Sequence, residues 1–475
     1  MRNGTGNLAR QGLTRRTFLQ GSAATGVTAL AGGSVLAGCG DDEGSTREGT
    51  EEYDQAGIDW RAAEGQTINV AVIPATYFGN LLELIPEFEE LTGISVNSEE
   101  IPPGEIRAEV IRDLSTGAGN YHTHAADPMY YPLYVANGWV DALEPYLDDQ
   151  DLTNPEWFAH EDIFQMWREA TQIDGVTYGI PYDGEVTVQV YRTDLFDEHG
   201  LKPAETFDEF RSNAEAMHVP DDRLWGAALR GFPGAGQNMY IYPSLFRAFG
   251  GEWFDDGGNP TVNSDAGVAA LEYYVSLLND LAPDGVVNWN WPDIADAFAI
   301  GTLGSYIDAH SSAAVLQDEE TSVVADSLGF ARWPAGPDGR RVTSIWNWSF
   351  PINAAVSDDD KRATWLFIQW ATSRETQVRT SYAFAGETKR SGVNRESIWD
   401  EDEHREAVDA GEGFIDAALT SLQEDTDLDW RPRVPEWPAI GDELAVLIQE
   451  ALTGQVTPEQ AMEQANNQIE RILES

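Results

Sequence analysis

The sequence predicts an α/β protein, and three observations carry that class. Ile68, Val70 and Val72 alternate as a short strand, Leu81, Leu84, Ile85, Phe88 and Leu91 recur at helical spacing, and Ile94-Ser95-Val96 resumes as a strand directly after Gly93. Strand, helix and strand joined by short loops make a βαβ unit, so the sheet is expected to be parallel. The same mixture of strand and helix patterns continues to the C-terminus, with no internal repeat and no long disordered linker after Gln66.

The elements then follow in order. Pro74 to Gly79 reads as a loop between the first strand and its helix. A second helix carries Ile106, Val110, Ile111 and Leu114 and ends at Gly117. Tyr121 to Asp127 lacks the apolar run of a strand, which leaves the path around Asp127 undefined. Aromatics and turns follow: Tyr130, Tyr131, Tyr134, Trp139 and Tyr146. Val186, Val188 and Val190 alternate with polar neighbours as a strand, and Phe207 to Met217 reads as a helix. Asn263-Ser264-Asp265 caps a further helix bearing Val268, Leu271, Tyr274, Val275 and Leu278. Ala363, Leu366, Phe367 and Trp370 mark another. Near the end, Ile440, Leu444, Leu447, Ile448 and Ala451 form an apolar stripe. Thr457-Pro458-Glu459-Gln460 is a capping box with proline in the first turn, opening a last helix through Ala461, Ala465, Ile469 and Ile472.

Charge narrows the function classes. Among 475 residues acids outnumber bases 81 to 29, a formal charge of −52, and the lysines are only Lys202, Lys361 and Lys389. Such a chain repels nucleic-acid phosphates and anionic headgroups, so neither is expected as a partner. With 42% hydrophobic residues and 16 tryptophans the chain is nonetheless expected to fold. Its self-repulsion weakens the compact state in dilute buffer, and molar salt, with a Debye length of about 3 Å, removes most of that penalty. Few lysines and many acids in an exported chain resemble the proteins of extreme halophiles.

The N-terminus supplies the export. Arg15 and Arg16 precede Phe18 and Leu19, a weakly apolar run follows from Gly21 to Gly38, and Leu36-Ala37-Gly38-Cys39 closes it on the one cysteine of the chain. A positive start, an apolar middle and a small-residue site describe a signal peptide rather than a membrane span. The pattern resembles a Tat signal joined to a lipobox, residues 1–39, which implies that Cys39 carries lipid at the mature N-terminus. Residues 40–65 read as an acidic tether holding the body off the membrane.

Several stretches then point to one family. They are Ile85-Pro86-Glu87-Phe88-Glu89-Glu90-Leu91-Thr92-Gly93-Ile94-Ser95-Val96, Gly175-Val176-Thr177-Tyr178-Gly179-Ile180-Pro181-Tyr182 and Tyr191-Arg192-Thr193-Asp194-Leu195-Phe196. Thr206-Phe207-Asp208-Glu209-Phe210, Phe249-Gly250-Gly251-Glu252-Trp253-Phe254-Asp255 and Leu452-Thr453-Gly454-Gln455-Val456-Thr457-Pro458-Glu459-Gln460-Ala461 complete the series. In this order they resemble the extracellular solute-binding proteins of ABC importers, in the carbohydrate-binding, maltose-binding-protein-like branch. The resemblance implies a two-lobed periplasmic-binding-protein fold of type II. Residues 66–182 and 344–395 would form one lobe, and 188–333 and 396–475 the other, with crossings near 181–187 and 333–343. It also implies a monomer without cofactor or metal and without enzymatic activity. The ligand would be a sugar, and the partner a permease on the outer face of the cytoplasmic membrane.

A sugar site needs flat apolar faces for the C–H side of a ring and polar groups for hydroxyls. Trp346-Asn347-Trp348 offers both, since alternate residues of an extended segment share a side. Trp289-Asn290-Trp291 repeats the pattern, either in the cleft or in a lid or core. Tyr182 and Asp183 sit at the first crossing, and Tyr77 and Phe78 follow the first strand, where open α/β sheets place ligands. Asp308, Asp127, Arg230 and Phe232 are further candidates, and Trp437 either closes the pocket or anchors the last helices. Two other classes stay open. A glycan-degrading enzyme would use paired carboxylates, but 81 acids make any such pair unspecific. A binder of a phosphorylated polyol or another anion would need arginines converging on the cleft, with Arg230, Arg332 and Arg390 the visible candidates. His122 and His124 with Asp127 lack a further supporting ligand for a metal. There is no G-x-S-x-G motif, and the glycines from Gly231 to Gly236 lack the Lys-Ser/Thr of a phosphate loop and read as a turn.

Overall fold

The computed structural model describes residues 51–383, 390 and 392–475. The proposed signal, Cys39 and Lys389 lie outside the described residues, whereas the described part of the expected tether, from 51 on, is packed on the core: Tyr53 and Trp60 are buried, and the Tyr53 and Thr376 hydroxyls lie 2.8 Å apart. In chain order the elements that build the site are β1 (Thr67–Val72), α1 (Thr76–Thr92), β2 (Ser95–Glu100), α2 (Pro103–Thr116), β3 (Thr123–His124), β4 (Ile180–Arg192), α3 (Phe207–Met217) and β5 (Trp225–Ala228). They continue with α4 (Asn238–Ala248), α5 (Asp265–Leu281), α6 (Trp291–Ala299), β6 (Leu303–Ala309), β7 (Leu328–Ala331), β8 (Ile345–Phe350), α7 (Asp358–Thr372), α8 (Phe414–Glu424), α9 (Trp437–Leu452) and α10 (Pro458–Leu473).

The strands form two main sheets. The first has the order β2-β1-β3, all parallel, with Thr67 opposite Ser95 and Val70 opposite Thr123. β3 is the strand the sequence hid. It is short and polar, yet both of its residues are buried, because its neighbours rather than its own side chains supply the apolar cover. The second sheet has the order β8-β4-β6-β5, with β7 also on β4. α1 begins at Thr76, a turn earlier than its apolar stripe, so Tyr77 and Phe78 are helical rather than in a loop. Gly93 ends it in the left-handed conformation, at φ 70°, which glycine adopts without strain. The caps read from sequence are in place. Ser264 accepts from the Gly267 amide, and Thr457 and Gln460 form the reciprocal box on α10.

β4 changes partners along its length. Its first half, Ile180 to Val186, pairs antiparallel with β8. Its second half, from Thr187 on, pairs with β6 and β7. At the change of partner the Thr187 and Thr343 hydroxyls lie 2.8 Å apart, and the Ser344 amide donates to the Thr187 hydroxyl at 3.0 Å. β4 and the segment that leads into β8 are therefore bonded to each other at this point.

Candidate functional site

Register places the site. Trp346 lies opposite Glu185, Asn347 opposite Gly184 and Trp348 opposite Asp183. Residues directly opposite in an antiparallel pair share a face, so both indoles and both carboxyls project to one side of the crossing. The rings of Trp346 and Trp348 meet edge to face at 5.6 Å, as the alternation predicts. The pairing shifts between Trp348 and Ser349, and this irregularity re-aims the strand beyond the indoles. On the reverse face Asn347 donates to the Trp167 carbonyl at 3.2 Å. There Gly184 is required, because a Cβ would stand 2.4 Å from the Trp167 ring.

Both lobes reach this face. From α2, Arg107 places its guanidinium 5.5 Å from the Trp346 ring and 5.8 Å from that of Trp348, and pairs with Asp127 at 3.1 Å. Asp127 also accepts from the Met129 amide at 3.0 Å, which fixes the turn that sequence left undefined. From the second lobe, Tyr240 of α4 meets Trp346 edge-on at 5.9 Å, and Arg230 lies over the Tyr240 ring at 4.4 Å. Arg230 and Asp308 form a buried two-pronged ion pair, one arm at 2.8 Å. Arg431, fully buried, sits 5.1 Å from Trp346, 4.2 Å from Trp430 and 5.8 Å from Trp437. It donates to the carbonyls of Met239 and Ala235, and burial pushes its pKa down to about 9.

The remaining candidates divide. Tyr182 and Phe78 are core residues: their rings stack at 5.4 Å, and the Tyr182 hydroxyl donates to the Tyr77 carbonyl at 2.8 Å. Asp183 is buried against Arg390 at 2.8 Å, and burial nonetheless pushes its carboxyl up to about 6. The Tyr77 ring packs on Phe78 at 5.1 Å, and burial, with the charges of Asp183 and Glu185, holds its hydroxyl well above the ordinary tyrosine range. Trp291 opens α6 and is 45% exposed, while the Trp289 carbonyl accepts from the amides of Gly231 and Phe232. Neither ring is among those that meet Trp346. Phe232 is likewise exposed. Trp437 is buried edge-on to Trp253 at 5.8 Å and beside Arg431, so it anchors α9 and backs the site together. Arg332 is held by Asp425 and Glu424. His122 accepts from the Asn69 amide at 3.0 Å, and His124 is held neutral by burial, with its pKa pushed down to about 3. Among the described residues no three His, Cys, Asp or Glu side chains are grouped to hold a metal.

Sequence reasoning missed Arg107, Glu185, Tyr240 and Arg431. Burial pushes the Glu185 carboxyl up to about 7, although Ser311 and the charge of Arg230 pull the other way. A carboxyl raised from 4.5 in the unfolded chain contributes stability that is full below about pH 4.5 and is lost as pH rises through about 7. Glu185→Gln is therefore expected to gain stability relative to the parent across that window. Denaturant melts at several pH values in molar KCl check it, and parallel curves for the two proteins would refute it.

The family model of bacterial extracellular solute-binding proteins matches residues 75–378. The chain is 29% identical over 426 residues to the erythritol/L-threitol-binding protein of Mycolicibacterium smegmatis, covering 86% of this chain and 87% of that one. It is 26% identical over 424 residues to the mannitol-binding protein of Pseudomonas aeruginosa, covering 86% and 94%. Among solved structures, an ABC transporter solute-binding protein from Agrobacterium vitis with bound D-mannitol superposes with a TM-score of 0.75 at 26% identity, over 86% of this chain and 99% of that one. One from Agrobacterium radiobacter, in complex with ribitol, gives 0.77 at 23% identity, over 86% and 99%.

Proposed function

This chain belongs to the bacterial extracellular solute-binding proteins, and from its indole-lined crossing we propose that it captures a small sugar alcohol or sugar between its lobes for an ABC importer. The observation that carries the reading is the shared face of Trp346, Trp348 and Glu185, approached by Arg107 from one lobe and Tyr240 from the other. Flat rings take the C–H side of the ligand and the polar groups take its hydroxyls. A short ligand is favoured over a long oligosaccharide because the walls stand close. Trp346 and Trp348 are 5% and 6% exposed, and a Cβ on Gly236 of the second lobe would lie 3.9 Å from Arg107 of the first. The relatives named for erythritol, threitol and mannitol support the same class.

Closure is the mechanism. Contacts made by both lobes to one ligand favour the closed form, and a permease that recognises that form receives only loaded protein. The lobe boundaries at 181–187 and 333–343, the Tat signal, lipid on Cys39, a monomeric state outside the cytoplasmic membrane and adaptation to high salt belong to the same proposal. Thermal melts in molar KCl with four- to six-carbon polyols and with disaccharides test it. A ligand at 100 times its Kd adds about 2.7 kcal/mol to the folded state. A polyol or monosaccharide is expected to raise the melting temperature most. No shift with any carbohydrate would end the proposal.

A further inference from the structure

Three arginines from distant parts of the chain converge on Ala235 and Gly236, just ahead of α4. Arg431 donates to the Ala235 carbonyl at 2.7 Å, and Arg230 donates to the Gly236 carbonyl at 2.6 Å. Arg107 Nη2 and the Trp346 ring edge each lie 3.9 Å from where a Gly236 Cβ would be. Two of the three charges are answered, Arg107 by Asp127 and Arg230 by Asp308. Arg431 is not. It forms no ion pair among the described residues, and its Nη1 is buried without a hydrogen-bond partner. The carboxylate whose charge acts most on it is that of Asp127, which Arg107 already holds. At the start of α4 the Tyr240 hydroxyl and, on the capping residue, Gln237 Oε1 are buried without partners as well.

A buried guanidinium without a counter-charge is costly even among aromatic faces, and it lies in a protein whose overall charge is −52. An acceptor that also carries negative charge would satisfy Nη1 and balance the cluster in one contact, and guanidinium groups favour carboxylate and phosphate.

We propose that the ligand is a polyol bearing one acidic group, a sugar acid or a polyol phosphate, whose anionic end is held by Arg431 while its hydroxylated chain lies along Trp346 and Trp348. The proposal rests on the polyol reading above and narrows it. Arg431 is then the residue that distinguishes an acidic polyol from a neutral one. Arg107 and Arg230, already paired, shape the site without adding net charge.

Calorimetric titration of the intact chain in molar KCl tests this with matched probes: D-glucitol, D-gluconate and D-glucitol 6-phosphate, and erythritol, D-erythronate and erythritol 4-phosphate. At least one acidic member is expected to bind tenfold or more tightly than its neutral counterpart, and the carboxylate and phosphate arms identify the acid. Arg431→Met is expected to bring the ratio of acidic to neutral affinity close to one. Should that variant fail to fold, the comparison on the parent protein decides alone. Neutral probes binding as tightly as the acidic ones, or a ratio unchanged by Arg431→Met, would overturn the proposal and leave the polyol reading standing. If none of the probes binds, this proposal fails, and the melts with the wider set of sugars decide the sugar-or-polyol reading separately.

Discussion

Trp346→Ala is expected to weaken ligand binding by about 30-fold or more, the effect of losing an aromatic anchor worth about 2 kcal/mol at the centre of an interface. The size follows from position. Trp346 is the ring on which Arg107, Tyr240, Arg431 and Trp348 all converge, so it presents the apolar floor that both lobes share. The same truncation removes buried packing and costs about 3–5 kcal/mol of stability. Titrations therefore belong at high salt and low temperature, on protein shown to be folded by near-ultraviolet dichroism. Trp365→Ala is the control. That ring is fully buried in α7 and hydrogen-bonded to Thr153 at 2.9 Å, away from the crossing. It should lose comparable stability and keep its affinity. Equal affinity loss in both variants would mean that Trp346 acts only through the fold.

Asp308→Asn should be the most destabilising of the conservative changes in the second lobe. Asp308 is 1% exposed and Arg230 5%, and each is the other's charge partner. Removing one member of a buried pair leaves the other uncompensated, at about 3–5 kcal/mol. The Arg230 backbone is fixed independently by the Tyr274 hydroxyl, so the arginine cannot swing away to water without disturbing α5. Arg230→Met combined with Asp308→Asn strands no charge and is expected to recover part of the loss. Urea titrations of the single and double variants measure this. A single-variant cost under about 1 kcal/mol would show that water reaches the pair.

Local signals in the sequence survived into the structure. α3 spans Phe207–Met217 with Thr206 accepting from the Glu209 amide, and the box on Thr457 and Gln460 is intact. Such features depend on neighbours within a few residues. Trp346 and Trp348 were legible for the same reason, since alternation alone sets two indoles on one face. Tyr182 and Phe78 went to the core because periodicity says that a ring faces one way without saying what covers it. The loop expected around Tyr77 became the first turn of α1, a boundary that the apolar stripe does not mark. Arg107, Tyr240 and Arg431 reach the Trp346 ring from positions far away in the chain, and no spacing rule encodes those contacts. One signal was available for Arg431: a scarce base set between Trp430 and Pro432, close before Trp437, in a chain dominated by acids.

The central claim is that two lobes close over a ligand laid on the Trp346 face. Spin labels on α1 at Glu83 and on α5 at Glu272, both exposed, place one probe on each lobe. Pulsed electron resonance then reads the distance between them with and without the polyol that stabilises the protein most. The account predicts a longer, broader distribution in the free protein that shortens and narrows on saturation. A distribution unchanged by saturating ligand would contradict it.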